Sequence, residues 1–339
     1  MENYSFKSSD KTSTIQYYIW RPTDEAHREK PVAILHIIHG MSEYVGRYGA
    51  FASWLAEQGI LVVGDDHIGH GTSADPADYG YFGHTDGWKH LVDDEEKLRN
   101  IMRRDYPNTP YVILGHSMGS FILRAWLAMY AKAADVDGVI IMGTCGSNKA
   151  LGAGAALTTL LMGIKGEKKT SNLITGLAMG PYAKPFAAEK SAVAWLSRDK
   201  DLVHAYEKDP MCGFPFKLGG YMDLFALIRY ITADSWYEKV PKNLTMLITS
   251  GSNDPVGDMG KGPAETYDKL QAAGCKDVNL LLYEDMRHEI LNEIGKEKVW
   301  EDMRDFVLDM AEEHGLPQDK RGVPDAPETV TSFTEGGAW

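Results

Sequence analysis

The stretch YVILGHSMGSFILRAWLAM, residues 111–129, decides the fold because it holds a short apolar strand, a tight turn and a long apolar helix in that order. Its centre, Gly115-His-Ser-Met-Gly119, fits the pattern G-x-S-x-G. In this pattern the serine occupies a strained turn between a strand and a helix, with its hydroxyl exposed as a nucleophile. The pattern alone is weak, but this context favours a nucleophilic Ser117 over a serine that caps a glycine-rich turn.

Strands and helices alternate on both sides of this turn, as they do in a parallel sheet covered by helices. Short apolar runs predict buried strands at residues 32–38, 60–64, 111–114, 138–142, 244–248 and 278–283. Amphipathic or apolar segments predict helices at 48–58, 88–105, 118–134, 262–273 and 296–313. We therefore expect an α/β fold with a mostly parallel central sheet and helices on both faces.

The alternation stops between residues 144 and 236, where glycine-rich apolar patches and paired lysines occur without clear strands. We expect a mainly helical cap in this segment. It would be inserted into one catalytic core made of residues 1–143 and 237–314. Prolines among small and charged residues then predict a loosely attached tail over residues 315–339.

A serine nucleophile needs a base, and that base needs an orienting carboxylate. Asp254 lies in Ser250-Gly-Ser-Asn-Asp-Pro255, a loop that leaves a predicted buried strand, and His288 follows the next predicted strand. Both loops therefore fall where their side chains can lie beside the Ser117 turn. The sequence predicts a triad of Ser117, His288 as base and acid, and Asp254 as its orienting partner.

Other acids and histidines fit this arrangement less well. Asp258 is four residues further along its loop, and Asp285 is too close in sequence to His288 to approach its ring properly. His204 falls in the predicted cap, and His314 falls near the end of the last predicted helix. The alternative for His288 itself is a surface-loop histidine without a catalytic role.

Two backbone N–H groups are candidates for an oxyanion hole. Met118 begins the helix after the turn, so its N–H points toward the nucleophile. The segment His39-Gly-Met-Ser-Glu43 follows a predicted strand at the place from which this kind of site takes its second donor, the N–H of Met41. The alternative is that His39 and the glycine after it merely turn the chain.

The segment DDHIGHGTS, residues 65–73, contains two histidines in an H-x-x-H spacing. His67 and His70 suggest a metal, but the sequence offers no clear third ligand. Structural packing near the site is the favoured interpretation. The predicted chemistry requires no metal or organic cofactor.

Composition excludes several classes of partner. The chain has 339 residues and a formal net charge of −13, which argues against nucleic acid. Its longest uncharged stretch of note, residues 150–164, is shorter than the ~20 residues that a membrane-spanning helix needs. The first residues are polar and resemble no secretory signal, and the three cysteines show no paired spacing. We expect a cytoplasmic protein with reduced thiols.

Five segments together resemble the monoglyceride lipase and lysophospholipase branch of the α/β-hydrolases, which is also grouped with serine aminopeptidases. These segments are His39-Gly-Met-Ser-Glu-Tyr-Val-Gly-Arg-Tyr48, Asp66-His-Ile-Gly-His-Gly-Thr-Ser73, Gly115-His-Ser-Met-Gly119, Gly251-Ser-Asn-Asp-Pro-Val256 and His288. The resemblance implies the α/β-hydrolase fold, the roles given above for the triad, and Met41 and Met118 as oxyanion donors. Two features depart from it: Ser120 stands where many relatives have a second glycine, and the cap is longer.

The expected substrate is a lipid-derived acyl ester, a monoacylglycerol or a lysophospholipid. Apolar cap segments at 151–164 and 173–186 would line an acyl tunnel or contact a membrane surface transiently, although they would equally suit packing within the cap. A small-ester carboxylesterase is one alternative. Another is an aminopeptidase, which needs a cap carboxylate for the α-ammonium group; the candidates are Glu189, Asp199, Asp201, Glu207, Asp209 and Asp223. A non-catalytic ligand-binding protein is disfavoured because all three triad residues are present.

Overall fold

The computed structural model describes residues 1–132 and 134–314 and contains one eight-stranded sheet. Its strands are β1 (Glu2–Lys7), β2 (Thr14–Trp20), β3 (Ala33–Ile38), β4 (Ile60–Asp66), β5 (Tyr111–His116), β6 (Gly138–Met142), β7 (Thr245–Gly251) and β8 (Val278–Tyr283). Their spatial order is β1-β2-β4-β3-β5-β6-β7-β8, and the pairs from β4 to β8 are parallel. The predicted tail, residues 315–339, lies outside the described residues.

Eleven α-helices are assigned in the described chain. They are α1 (Glu25–Glu29), α2 (Gly49–Ala56), α3 (Gly87–Asp105), α4 (Met118–Met129), α5 (Leu151–Lys165), α6 (Asn172–Ala183), α7 (Lys200–Lys208), α8 (Leu218–Thr232), α9 (Asp234–Lys239), α10 (Lys261–Ala272) and α11 (Lys296–Glu313). Residues from α2 and α11 belong to the apolar core on one face of the sheet, and residues from α3, α4, α8, α9 and α10 belong to the core on the other. The predicted architecture, a mostly parallel sheet with helices on both faces, is confirmed.

The strand prediction was incomplete at the start of the chain, where β1 and β2 form an antiparallel hairpin at the edge of the sheet. β1 has the sequence ENYSFK and is largely exposed. An edge strand with a solvated face carries no continuous apolar run, so a search for buried parallel strands passes over it.

The ends of two strands and of one helix also differ from the prediction. β5 and β7 run on to His116 and Gly251, past the ends of their apolar runs, because polar residues at their carboxyl ends are buried as well. The helix predicted at 118–134 ends at Met129. Tyr130 leaves helical geometry, and its hydroxyl donates to Asp93 of α3 over 2.5 Å.

The described residues between β6 and β7 contain the helices α5 to α9, joined by irregular loops, and no β-strand. This segment has two parts. In α8 and α9, side chains such as Leu227, Ile231 and Trp236 enter the core beside α4. By contrast, α5 and α6 each bury a single residue, Thr158 and Ile174. The outer pair α5–α6 therefore buries far fewer side chains than the inner pair α8–α9.

Asp223 fastens the inner part of this segment to the core. Its Oδ1 accepts the backbone N–H of Trp88 over 3.1 Å, at the first turn of α3. Desolvation by burial raises the pKa of Asp223 to about 7, although the N–H groups of Trp88 and Gly87 act to lower it. A carboxyl group in an unfolded chain has a pKa of about 3.9. Between these values the native state holds a proton that the unfolded state has lost.

The Asp223 carboxyl group should therefore make stability fall as pH rises from about 4 to about 7. We expect Asp223→Asn to make the measured decline less steep by the contribution of one carboxyl group, because its amide does not titrate. Urea unfolding of both proteins at several pH values between 4 and 8 measures the difference. Asp201→Asn, at an exposed position of α7, is the control and should keep the wild-type slope. A wild-type slope in Asp223→Asn would refute the assignment.

Candidate active site

Ser117 stands at the turn between β5 and α4 in a conformation that few residues adopt. Its backbone angles are φ 55° and ψ −123°, and its N–H donates to the Met142 carbonyl over 3.0 Å. A Cβ at Gly115 would lie 2.4 Å from the Gly119 carbonyl oxygen, and one at Gly119 would lie 2.0 Å from the oxygen of Ile38. Both glycines are therefore required by close backbone approach, and the pattern G-x-S-x-G has a steric origin here.

Asp254 and His288 meet at the same edge of the sheet because they follow the adjacent parallel strands β7 and β8. Nδ1 of His288 lies 2.9 Å from Oδ2 of Asp254, and both side chains are buried. The Ser250 hydroxyl and the Val256 N–H also donate to the Asp254 carboxylate, each over 2.9 Å. Burial would raise the pKa of Asp254, but His288 and these donors outweigh it and lower the pKa. Asp254 is therefore held as a carboxylate.

The second ring nitrogen of His288 is available for chemistry. Its Nε2 is buried and has no hydrogen-bond partner among the described residues. The ring is packed between those of His116 and Trp195, with centroids 4.7 Å and 5.1 Å away. His288 and Ser117 line the same cavity. This arrangement places an imidazole with an unpartnered nitrogen in the same cavity as the serine.

The alternative acids and histidines lie elsewhere. Asp258 and Asp285 are exposed, and Asp258 pairs with Lys261. His204 is exposed on α7. His314 lies 2.9 Å from Asp137, a residue that precedes β6 and so lies at the opposite edge of the sheet. Of the histidines considered, the structure brings His288 to the cavity.

The loop after β3 supplies the other wall of the site. Gly40 and Met41 line the cavity together with Ser117 and Met118. A Cβ at Gly40 would lie 3.0 Å from the Cβ of Ser117, so this loop passes very close to the serine. The two predicted oxyanion donors, the N–H groups of Met41 and Met118, therefore belong to segments on either side of Ser117.

A buried polar network behind the site was not predicted from the sequence. Arg47 donates to both oxygens of Glu289 over 2.7 Å and to Glu43 over 2.5 Å. Tyr48 donates to Glu43 over 2.8 Å, and its hydroxyl lies 2.7 Å from Nδ1 of His116. Arg47 thereby ties the Met41 loop to the His288 loop. Its partner Glu289 is 242 positions away, so no local pattern reveals the pair.

The cavity over the serine has a volume of about 230 Å³. Core residues form its polar end, and the segment between β6 and β7 contributes a largely apolar wall. Residues of that wall include Met179, Tyr182, Trp195, Phe214, Leu224 and Ile228. The cavity therefore offers an apolar volume next to the polar end at Ser117 and His288.

One group of buried side chains lies close enough to hold a metal ion among the described residues, and it consists of Asp65, His67 and Glu95. Nδ1 of His67 lies 3.0 Å from Asp65 and 3.2 Å from Glu95. Burial would lower the pKa of His67, but the two carboxylates raise it well above its usual value. A protonated imidazole cannot bind a metal, so this geometry favours an ion pair. His70, the other histidine of the H-x-x-H spacing, packs against Phe82.

Comparison with known protein families gives one match that spans most of the chain. The family described as serine aminopeptidase, S33, matches residues 29–295. The chain belongs to the serine aminopeptidase S33 family. The resemblance drawn from the five sequence segments is thereby confirmed at the level of the family, as is the predicted class of enzyme, a serine hydrolase.

The relatives of this S33 family member include proteins named as lipases. The monoacylglycerol lipase of Mycolicibacterium smegmatis is 25% identical over 87% of this chain and 92% of its own length. The human monoglyceride lipase is 29% identical over 81% of this chain and 80% of its own length.

Solved structures agree on the fold. A thermostable carboxyl esterase from Bacillus coagulans, in complex with glycerol, matches this S33 family member with a TM-score of 0.84 at 29% identity, over 91% of this chain and 98% of the esterase. A monoglyceride lipase from Saccharomyces cerevisiae matches with a TM-score of 0.69 at 18% identity, over 90% of this chain and 94% of the yeast protein. The predicted α/β-hydrolase fold is confirmed.

Proposed function

We propose that the protein hydrolyses carboxylic esters of lipid origin, with monoacylglycerols as the leading substrate class, through an acyl-enzyme on Ser117. The observation that carries this proposal is a free His288 nitrogen, backed by Asp254, beside Ser117 in an apolar cavity. The names of the lipase relatives and of the carboxyl esterase support the ester chemistry. Lysophospholipids and short-chain esters are the other substrates to be tested.

The proposed reaction has two halves. His288 Nε2 takes the proton of the Ser117 hydroxyl as its oxygen attacks the ester carbonyl, and the N–H groups of Met41 and Met118 receive the developing oxyanion. The imidazolium then protonates the leaving alcohol. Water, activated by the same nitrogen, releases the fatty acid and restores Ser117. Asp254 keeps the proton on Nδ1 of His288 and stabilises the imidazolium.

The cap carboxylates argue against an aminopeptidase reaction. Glu189 pairs with Arg287, Asp199 caps α7, Asp209 accepts from Tyr44, and Asp223 accepts from α3. Among the described residues, the carboxylates that line the cavity are Glu43 and Glu289, and Arg47 binds both. No unpaired carboxylate in that lining is therefore placed to hold a substrate α-ammonium group.

Acyl-chain length should control the reaction through burial in this cavity. Each buried methylene contributes about 0.8 kcal/mol, so kcat/KM should rise roughly fourfold per methylene until the cavity is filled. A series of p-nitrophenyl esters and monoacylglycerols, from two to eighteen carbons, measures this dependence. A maximum at acetyl or butyryl esters would replace the lipase proposal by a small-ester carboxylesterase.

Ile228→Trp tests whether the acyl chain binds in this cavity. This side chain lines the cavity from α8, so a larger group there should shorten the space for the acyl chain. We expect kcat/KM for the longer esters to fall by at least tenfold, with little change for acetyl esters. An equal loss for all lengths would show that the acyl chain lies elsewhere.

Transient contact with a membrane surface is proposed for the outer helices α5 and α6. Leu160, Ile164, Leu173 and Leu177 are each more than half exposed, although none of the helices in the described residues is long and apolar enough to cross a bilayer. The double variant Ile164→Glu and Leu173→Glu should lower activity on vesicle-borne monoacylglycerol several-fold and leave a water-soluble ester unaffected. Equal rates on vesicles would exclude this surface.

A cytoplasmic location is also proposed, on the basis of the thiols. Cys145, Cys212 and Cys275 are all unpaired. Burial raises the pKa of Cys145 to about 11, so its thiol stays protonated at neutral pH. Unpaired thiols fit a reducing compartment. Cell fractionation tests this proposal.

A further inference from the structure

Two stacked histidines lie directly behind the loop that carries Met41. The rings of His39 and His67 are 3.7 Å apart at an interplanar angle of 18°, and both are fully buried. His39 follows β3, and His67 follows β4, the neighbouring parallel strand. The catalytic steps above assign neither of them a role.

The hydrogen bonds of His39 fix its tautomer. Its Nε2 accepts the backbone N–H of His67 over 3.1 Å, so that nitrogen carries no proton. The proton is therefore on Nδ1, which lies 2.8 Å from the Gly40 carbonyl oxygen and donates to it. The carbonyl of Gly40 is thus held in one direction by the ring of the preceding residue.

Fixing the Gly40 carbonyl also fixes the N–H of Met41. These two groups belong to one planar, trans peptide unit and point in opposite directions. The other side of Gly40 is fixed as well, because its own N–H donates to Oε1 of Glu43 over 2.6 Å. The direction in which Met41 offers its N–H is therefore set by the side chains of His39 and Glu43.

His67 holds this arrangement in place from behind. Its Nε2 donates to the His39 carbonyl over 3.0 Å, and its Nδ1 faces the carboxylates of Asp65 and Glu95 at 3.0 Å and 3.2 Å. Both ring nitrogens meet acceptors, which is the pattern of an imidazolium ion. Glu95 is itself held, with Nε2 of His36 at 2.8 Å.

We propose that His67, anchored by Asp65 and Glu95, is a positioning residue: it holds the His39–Gly40 turn so that the Met41 N–H meets the oxyanion. This inference rests on the proposed function, since the oxyanion forms only if Ser117 attacks an acyl group. The role is exerted through backbone geometry, and neither histidine contacts the reacting atoms.

Two pairs of variants test the positioning role of His67. In each pair, one variant keeps a hydrogen-bond donor at the position of the imidazole N–H and the other variant lacks it. His67→Gln places an amide nitrogen near the Nε2 position and can still donate to His39, whereas His67→Met has similar length and no donor. His39→Asn places an amide nitrogen near the Nδ1 position and can still donate to Gly40, whereas His39→Gln cannot. Asp94→Asn is the control, a buried carboxylate of α3 held by Ser8 and Ser9.

Removing an oxyanion donor costs about 10²–10³ in kcat, so misdirecting one should cost roughly 10–100-fold. We expect that loss in His67→Met and His39→Gln, with KM changed less than threefold and the affinity for butylboronic acid lowered in parallel with kcat. His67→Gln and His39→Asn should each recover at least a tenfold part of the loss. Asp94→Asn should keep the wild-type kcat.

Thermal unfolding of each variant separates this role from a structural one. Folded donor-less variants that keep wild-type kcat and boronate affinity would overturn the proposal, and so would rescue variants no better than their donor-less partners. If His67→Met fails to fold, the His39 pair decides the question alone. A wild-type protein without esterase activity would instead refute the proposed function, and this outcome is separate from those above.

Discussion

Ser117→Ala should lower kcat/KM for ester hydrolysis by at least about a thousandfold and leave a folded protein. In the proposed reaction the hydroxyl is the only group of Ser117 that takes part, while the turn itself depends on Gly115 and Gly119. Alanine can occupy the same backbone conformation at a cost similar to that of serine. Initial rates on p-nitrophenyl esters and a thermal unfolding curve measure both effects.

The matched control for this variant is Ser147→Ala. Ser147 is exposed after β6, and its hydroxyl and its backbone N–H both donate to Glu265, which is absent from the cavity lining. Its replacement should leave kcat/KM within twofold of the wild-type value. If Ser117→Ala kept more than a tenth of the activity, the nucleophile would have to be another residue.

Asp254→Asn should lower kcat by a factor on the order of 10⁴. The carboxylate accepts a hydrogen bond from the N–H at Nδ1 of His288, and this tautomer leaves Nε2 without a proton, free to act as a base. An asparagine amide at the same place can donate to Nδ1 and stabilise the opposite tautomer, in which Nε2 carries the proton. KM should change little, because Asp254 is absent from the residues that line the cavity.

Two exposed aspartates nearby serve as controls. Asp258→Asn and Asp285→Asn change the charge of the same two loops without removing a partner of His288. Both should keep kcat within about twofold of the wild-type protein, measured with the same ester at saturation. A large loss in either variant, together with an active Asp254→Asn, would reassign the acid of the triad.

Local sequence was sufficient to predict the strand, turn and helix around Ser117. The turn at Ser117 was predictable because the glycines, the preceding strand and the following helix lie within twenty residues of one another. Asp254 and His288 were predictable because loops after parallel strands meet at one edge of the sheet. The structure brings their side chains to 2.9 Å, which agrees with that expectation.

Other features depend on contacts that the sequence does not display. The edge strand β1 is polar on most positions, so its pairing with β2 had no apolar signal. The ion pair between Arg47 and Glu289 joins residues that are 242 positions apart in the sequence. The stacking of His39 on His67 depends on the register of β3 and β4. In α5, apolar residues occur on all faces, so the sequence did not show which of them remain exposed.

The roles assigned to the residues of the site share one physical basis. The Ser117 turn, the Asp254 loop and the His288 loop follow parallel strands and therefore lie at one edge of the sheet. Buried ion pairs then connect the loops around the cavity. Arg47 ties the loops of Met41 and His288 together. The segment between β6 and β7 adds an apolar wall to the cavity.

Covalent labelling tests the central claim most directly. The wild-type protein is incubated with a fluorophosphonate, and its intact mass and tryptic peptides are measured. We predict one adduct per chain, located on Ser117, and at least a hundredfold slower labelling in Asp254→Asn. Labelling at another residue, or no labelling of a protein that hydrolyses esters, would contradict the account.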